Sequence, residues 1–439
     1  MAEKNNKLSR RQFMKTAGIA GVGAAFMGNS KAGAAEEKAP VAKDMPRRAF
    51  GKTGEMVSVL ALGGIFDTRQ NQLLLNQAIK MGVTYWDTAE GYINGASEEG
   101  MGQYFEKHPE DRKKVFLVSK AKSNDPKDLT KSLTESLGRL KTSYIDMYFF
   151  HGINNTEGLT PEVKKWVEKT KSEGKIKYFG FSTHMNVEDN LEAAAKLGWI
   201  DGIMMAYSFR TMGTDRMKAA VDGCVKAGIG LTAMKTQAKM PSFGNMPRPK
   251  KPMNEMTKEE RDAMMARFAE MAKKAQNAGP DELSMKMTER FRKKGFSIEQ
   301  AKLKLIWENP HIATICSAMY NMAVLKQNVD AAIGKVQLTQ NDRDLLYYYA
   351  ACTSHQHCPG CTRNCQAGID KEIPIGVVMR SLMYARDYGD RDLGKTTYRE
   401  LPARLRSAIP GWDYTGAELR CPNNLPIGKL MREAAVELA

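Results

Sequence analysis

The feature that most constrains the fold of this chain is a regular alternation of short apolar runs with stretches of helical periodicity, which begins at Val57. Each run is too short for a buried helix and suits a strand covered on both faces. We read eight of them as strands, at 57–62, 84–87, 115–119, 145–150, 176–181, 202–207, 230–234 and 312–317. The intervening spacing predicts helices, among them 72–80, 129–140, 161–173 and 187–197. Eight such units predict parallel strands that close into a (β/α)8 TIM barrel, which we assign to residues 46–335.

Two segments exceed what a barrel needs. The connection from Lys235 to Ser297, after the seventh predicted strand, runs through Pro241, Pro247, Pro249 and Pro252 and then through a basic, Met-rich helical pattern. An insertion there falls on the face where barrel loops build the active site, so residues 236–296 are either a lid over a substrate or a surface decoration. Residues 336–439 are expected to form a mainly helical, cysteine-containing C-terminal extension.

The first 34 residues have the pattern of a targeting segment. A basic segment, 9–15, with the consecutive residues Arg10 and Arg11, precedes a weakly apolar, Gly- and Ala-rich stretch and the small residues 32–34. This pattern resembles a signal that the twin-arginine translocation machinery reads; the alternative is an amphipathic first helix. We therefore expect a signal peptide at 1–34, a linker at 35–45 and export of the folded protein to the periplasm. Export in the folded state suits proteins that acquire a cofactor in the cytoplasm.

Composition excludes two classes of protein. The chain is 42% hydrophobic and 26% charged, as in soluble globular proteins, and no run approaches the ~20 apolar residues of a membrane span. Its formal charge of +16 is spread along the sequence without a nucleic-acid recognition module. We expect neither a nucleic-acid partner nor a stable membrane span.

Four chemically capable side chains follow three consecutive predicted strands. Asp87 ends the second strand and Tyr92 follows it, Lys120 comes directly after the third, and His151 comes directly after the fourth. Because catalysis in such barrels takes place at the C-terminal ends of the strands, these side chains are expected to share one mouth.

Several segments in this order resemble the aldo-keto reductase superfamily, over about residues 47–332. The segments that match its pattern are Arg48 to Gly54, Asp87 to Ala89 with Tyr92, Ser97-Glu98, Ile145 to Tyr148 ahead of His151, and Gly180 to Ser182. The resemblance implies an enzyme that interconverts a small-molecule aldehyde or ketone with an alcohol by hydride transfer.

By this resemblance, Tyr92 is the general acid that protonates the carbonyl oxygen. A phenol has a pKa near 10, so we expect the ammonium of Lys120 to tune it by favouring phenolate. Asp87 would hold Lys120 in place, although a carboxylate there also suits a turn cap. His151 would orient and polarise the carbonyl.

The nucleotide contacts are less complete. No G-x-G-x-x-G follows a strand, and the family instead lays NADP or NAD across the barrel mouth. The resemblance implies that Ser182 binds the carboxamide and that the segment from Ser317 to Asn328 receives the adenosine end, with Asn328 near the adenine. The sequence departs from the family pattern at Thr183, Met204, Met234 and Tyr320. Another electron donor is therefore the alternative to a nucleotide.

Five of the seven cysteines lie in the extension. Cys358, Cys361 and Cys365 are closely spaced, and Cys421 precedes a proline further on, a spacing that resembles ferredoxin-type sites. The resemblance implies that these four ligate a 4Fe-4S cluster, which would be structural or would serve an electron-transfer partner. The alternatives are zinc, disulfides, and a ligand role for Cys352, His355 or His357. Cys224 and Cys316 are most simply core residues.

Two functions of different classes remain after this reading. The first is an NAD(P)-dependent carbonyl oxidoreductase, which the four residues at the strand ends favour. The second is an exported iron-sulfur electron-transfer or assembly protein that keeps the barrel as a non-catalytic scaffold, which the altered nucleotide positions favour.

Overall fold

The structure is a computed structural model of the 439-residue chain, and it describes residues 45–237, 257, 259, 282–354, 357–369 and 373–439. The predicted signal peptide, nearly all of the linker and most of the 236–296 insertion lie outside the described residues. No helix among the described residues is both long and apolar enough to cross a membrane.

Eight parallel strands follow one another around a closed barrel in chain order, and the last pairs with the first. The predicted (β/α)8 barrel is confirmed. The strands are β3 (Leu60–Gly63), β4 (Tyr85–Asp87), β5 (Phe116–Ala121), β6 (Ile145–Phe150), β7 (Ile176–Thr183), β8 (Gly202–Ala206), β9 (Gly230–Met234) and β10 (Ile312–Ala318).

A hairpin that the sequence reading did not predict closes the N-terminal end of the barrel. β1 (Arg47–Ala49) pairs antiparallel with β2 (Met56–Ser58), so the predicted strand 57–62 is divided at Val59 between this hairpin and the barrel. Phe50, in its turn, is fully buried and lies 5.5 Å, ring to ring, from Phe116 inside the barrel. The hairpin thereby seals the end opposite the strand ends that carry the candidate residues.

Helices follow the barrel strands as the spacing predicts. The helices of the barrel region are α1 (Gln72–Lys80), α2 (Ala96–Lys107), α3 (Pro109–Arg112), α4 (Pro126–Arg139), α5 (Pro161–Ser172), α6 (Val187–Leu197), α7 (Asp215–Lys226), α8 (Glu282–Lys293), α9 (Ile298–Trp307) and α10 (Met322–Ile333). Those of the extension are α11 (Gln340–Cys352), α12 (Thr362–Gln366), α13 (Ile375–Arg386), α14 (Arg391–Arg399), α15 (Ala403–Ala408), α16 (Thr415–Glu418) and α17 (Ile427–Glu437).

The extension has an apolar core of its own, in which Cys365 and Cys421 lie beside Ile375, Leu425 and Met431. It also contacts the ends of the barrel strands directly. The backbone N–H of Asn186, just after β7, donates to the carbonyl of Gly360 at 2.8 Å, and the Asn186 side chain accepts from the N–H of Arg363 at 3.0 Å. These hydrogen bonds place the cysteine segment at the mouth of the barrel.

We expect Gly180→Ala to destabilise the barrel strongly. Gly180 on β7 pairs with Gly202 on β8, and a Cβ at Gly180 would lie 1.8 Å from the Gly202 carbonyl oxygen. Since backbone in a closed barrel cannot move away, the free energy of unfolding, measured in urea, should fall by about 3 kcal/mol or more. Gly138→Ala is the matched control, because Gly138 is on the exposed side of α4 with no atom near its added Cβ; it should be neutral or slightly stabilising. Equal effects of the two substitutions would contradict this account.

Candidate active site

The barrel mouth holds a buried ion pair that connects three of the four predicted catalytic residues. Lys120, at the end of β5, is 1% exposed, and its Nζ lies 2.6 Å from Oδ1 of Asp87, which is 2% exposed at the end of β4. The same ammonium donates to the Thr88 carbonyl at 2.7 Å and to the Tyr92 hydroxyl at 3.2 Å. The Lys120 ammonium is thus paired with the Asp87 carboxylate, donates two hydrogen bonds and is aimed at the phenol.

His151 completes the group. Its backbone N–H donates to the Ala121 carbonyl at 2.8 Å, which fixes the end of β6 beside β5, and its ring lies 5.5 Å from that of Tyr92, nearly edge-on. Burial, followed by the charges of Lys120 and Lys122, holds the pKa of His151 well below its usual value. The imidazole is therefore neutral at physiological pH and can offer one N–H to a carbonyl oxygen.

The pKa of Tyr92 is shifted in the direction opposite to the sequence-based expectation. Burial and then the nearby Asp87 carboxylate raise this pKa well above 10, and the contact with Lys120 does not reverse that effect. Burial likewise raises the pKa of Asp87, opposed by Lys120. The phenol of Tyr92 therefore carries its proton, the state that a general acid needs.

The backbone after Tyr92 is unusual. Ile93 and Asn94 both adopt left-handed conformations, with φ of 50° and 53°. A β-branched residue rarely takes such a conformation, and strain of this kind accumulates at functional sites. Here it turns the chain so that Tyr92 faces the mouth while Ile93 is exposed.

This arrangement of a protonated phenol, a neutral imidazole and a buried ammonium is suited to donating a proton to an oxygen held between Tyr92 and His151. A model of the aldo/keto reductase family matches residues 60–346. The chain belongs to this family. The matched segment includes the barrel with all four catalytic candidates and ends within α11 of the extension.

Two curated relatives show the extent of the likeness. Over 192 residues the chain is 30% identical to the aldo-keto reductase yakc [NADP(+)] of Schizosaccharomyces pombe, which covers 40% of this chain and 53% of that protein. Over 180 residues it is 31% identical to the uncharacterized oxidoreductase YqkF of Bacillus subtilis, covering 37% and 56%. The chain thus spans about half the length of the curated relatives it matches.

Among solved structures, the holo form of an aldo-keto reductase from Bacillus halodurans superposes with a TM-score of 0.50 at 19% identity, over 70% of this chain and 97% of that one. At this identity the likeness concerns the fold alone.

The predicted nucleotide residues of this aldo/keto reductase lie at the mouth, in two places. Ser182, at the end of β7, accepts from the N–H of Gly152 at 2.9 Å and is 1% exposed. On the other side, Ser317 donates to Gln237 at 2.7 Å, Asn328 donates to Ser317 at 3.0 Å, and Gln237 donates to Asn328 at 3.0 Å. The structure thus brings Ser317 and Asn328 together in a closed ring of hydrogen bonds, apart from Ser182.

Four cysteines of the extension meet in one place. Cys358, Cys361, Cys365 and Cys421 all line one cavity whose other walls are mainly apolar, among them Ile375, Leu425 and Ile427. The backbone N–H of Leu425 points at Sγ of Cys421, 3.4 Å away. All four thiols are free of disulfides.

The alternative ligands lie elsewhere. Cys352 is fully buried in α11 within a different apolar cluster, and His357 lines the neighbouring cavity instead of the cysteine one. His355 lies outside the described residues.

The sequence did not predict several of the residues that lie at the mouth. Cys316 lies close enough to Asp87 that the carboxylate helps to raise the pKa of its thiol, after burial, so it belongs to the site as well as to β10. Lys235 follows β9 and lies over the ring of Tyr384, a residue of α13, with its Nζ 4.5 Å from the ring centroid. Arg380 lies one helical turn earlier on the same helix. A basic residue directly after a strand end was a usable signal for Lys235, but no periodicity shows that α13 would reach the barrel mouth.

We expect Asp87→Asn to destabilise the protein by about 3 kcal/mol or more, because it leaves the buried Lys120 ammonium without its counter-charge. The free energy of unfolding is the quantity to measure. Removing both charges, in Asp87→Asn with Lys120→Met, should recover most of the loss. As the control, Glu400→Gln breaks the exposed pair with Lys122 and should change stability by less than about 0.5 kcal/mol. A double variant as unstable as Asp87→Asn would show that the pair is not the cause.

Proposed function

We propose that this aldo/keto reductase reduces a small-molecule aldehyde or ketone to an alcohol with NADPH or NADH, and that Tyr92 is the proton donor. The observation that carries this proposal is the contact of the buried Lys120 ammonium with both Asp87 and the hydroxyl of Tyr92, opposite His151. The relative from Schizosaccharomyces pombe, whose name specifies NADP(+), supports a nicotinamide nucleotide.

Each of the four residues has a distinct part in the reaction. The neutral imidazole of His151 and the Tyr92 hydroxyl bind the carbonyl oxygen from two sides and polarise it. The proton of Tyr92 passes to that oxygen as negative charge develops there. Lys120 then stabilises the phenolate, and Asp87 keeps Lys120 charged and oriented.

The nucleotide would be held by Ser182, Ser317 and Asn328, whose hydroxyl and amide groups suit a nicotinamide amide and an adenine. When bound, it supplies the hydride that reaches the carbonyl carbon. Gln237 is hydrogen-bonded to both Ser317 and Asn328. These two hydrogen bonds would have to break before Ser317 and Asn328 could bind the nucleotide.

We expect Tyr92→Phe to lower kcat for aldehyde reduction by about 10²- to 10⁴-fold, because the proton donor is lost while the ring remains. The assay follows consumption of NADPH and NADH with a panel of aldehydes. Tyr178→Phe is the matched control: this hydroxyl donates to the Thr53 carbonyl at the opposite end of the barrel and should leave kcat unchanged. Unchanged turnover in Tyr92→Phe would refute the catalytic assignment.

We further propose that Cys358, Cys361, Cys365 and Cys421 ligate a 4Fe-4S cluster. Their convergence on one mainly apolar cavity and the N–H that points at Cys421 support this ligand set. Such a cluster, when bound, supplies one-electron transfer. Residues 1–34 lie outside the described residues, and we propose from their sequence that the protein is exported, already folded, by the twin-arginine machinery to the periplasm.

The proposed cluster is more suited to electron transfer than to a structural role, because its cavity shares a wall with another cavity. Cys358, Pro359, Gly376 and Met379 line both the cysteine cavity and a second cavity at the barrel mouth.

The closed ring formed by Ser317, Asn328 and Gln237 favours a second candidate function, in which electrons reach the mouth, or leave the protein, by way of the cluster without a soluble nucleotide. Turnover supported by a reduced viologen dye and by neither nucleotide would distinguish this candidate from the first.

We expect protein that has folded in the cytoplasm and been purified without oxygen to contain about four iron and four acid-labile sulfide per chain. Cys365→Ser should lower both contents substantially, because one of the four ligands is lost. Cys224→Ser replaces a buried thiol in α7, away from the cavity, and should change neither. Stoichiometric zinc, or the same iron content in both variants, would contradict the proposed ligand set.

A further inference from the structure

The second cavity is built from the barrel and the extension together. It lies between the strand ends and α13. From the barrel it is lined by His184 after β7, by Tyr207 and Ser208 after β8, and by Lys235 after β9. From α13 and the residues that follow it, Arg380 and Tyr388 face it.

Polar atoms at this cavity lack partners within the protein. Among the residues that the structure describes, Nε of Arg380, Nδ1 of His184 and the hydroxyl of Tyr388 are buried and make no hydrogen bond. A buried polar group without a partner destabilises the fold, more so if it is charged. A polar ligand in this space would give all three groups a partner.

The charge around the space has one sign. Lys235 and Arg380 are the cationic residues of the lining, and no Asp or Glu is among the lining residues. Neither cation has an ion-pair partner within the described part of the chain. Both charges also act on the buried Tyr384 of α13. Burial raises the pKa of this phenol, but the charges of Lys235 and Arg380 lower it below its usual value.

The cationic pair is close to the catalytic residues. Both Lys235 and Arg380 contribute to lowering the pKa of His151, after burial and the charges of Lys120 and Lys122. Tyr384, which lies beside Lys235, contributes in turn to raising the pKa of Tyr92. The cavity and the catalytic residues thus lie at the same end of the barrel, after β7 to β9 and at the ends of β4 to β6 respectively.

We propose that Arg380, Lys235 and Tyr388 form a binding site for an anionic group of the substrate, so that the substrate is a carbonyl compound that also carries a carboxylate or a phosphate. This inference rests on the proposed reductase function. A guanidinium with a free edge and a nearby phenol hydroxyl match the acceptor oxygens of such a group. A diphosphate of a nucleotide would present the same chemistry, so the experiment must separate the two sources.

The experiment compares 4-carboxybenzaldehyde with the uncharged methyl 4-formylbenzoate, which differ in charge but share the reacting aldehyde. In the wild-type protein we expect kcat/KM to be higher for the carboxylate. Arg380→Gln should lower kcat/KM for 4-carboxybenzaldehyde by about 10- to 100-fold, while values for the ester and KM for the nucleotide stay unchanged. Arg386→Gln, on the same helix but paired with Glu433 and Glu437, is the matched control and should alter neither substrate.

A direct binding measurement separates this inference from the proposed function. Calorimetric titration with 4-carboxybenzoate needs no turnover and should show binding to the wild type that Arg380→Gln weakens about 10-fold or more. Binding lost in this way without any aldehyde reduction would leave the anion site standing and refute the reductase. Reduction of both aldehydes with equal efficiency, or an Arg380→Gln effect confined to KM for the nucleotide, would overturn the anionic substrate. Tyr388→Phe, which removes only a hydroxyl, gives the same test at smaller magnitude if Arg380→Gln does not fold.

Discussion

The ion pair between Lys120 and Asp87 is the interaction on which the rest of the site depends. An ammonium and a carboxylate that are almost wholly buried are tolerable only because each neutralises the other and Lys120 also donates two hydrogen bonds. One of the two acceptors is the Tyr92 hydroxyl. The same burial that makes the pair necessary also keeps Tyr92 protonated and His151 neutral, so stability and proton-donor chemistry have a common cause.

The extension changes the character of the barrel mouth. In a bare barrel, the strand ends would face solvent, whereas here α13 covers them and adds Arg380, Tyr384 and Tyr388 to the surroundings of the catalytic residues. The extension can do this because it has its own apolar core and is hydrogen-bonded to the barrel through Asn186. The cysteine cavity and the cavity at the mouth consequently share a wall, which joins two features that lie far apart in the sequence.

Much of the fold could be predicted from local patterns. The eight strands, and helices such as 72–80 and 187–197, were confirmed because burial on both faces leaves continuous apolar runs and amphipathic helices leave a 3.6-residue period. The hairpin before the barrel was missed because Met56 to Gly63 is almost continuously apolar, and only pairing partners divide it into two strands. The direction of the Tyr92 pKa shift was missed because burial and the distance to Asp87 are not properties of the sequence.

The sequence by itself determined the barrel, the order of Asp87, Tyr92, Lys120 and His151 along it, and the spacing of the four cysteines. These are determined locally, since the C-terminal ends of parallel strands must meet on one face. Only the tertiary structure decided that α13 covers that face, that Cys316 lies close to Asp87, and that Ser317 and Asn328 are engaged by Gln237. Such contacts depend on how distant segments pack against one another, which is set by shape and charge across the whole fold. Packing of this kind leaves no periodic pattern in a single sequence.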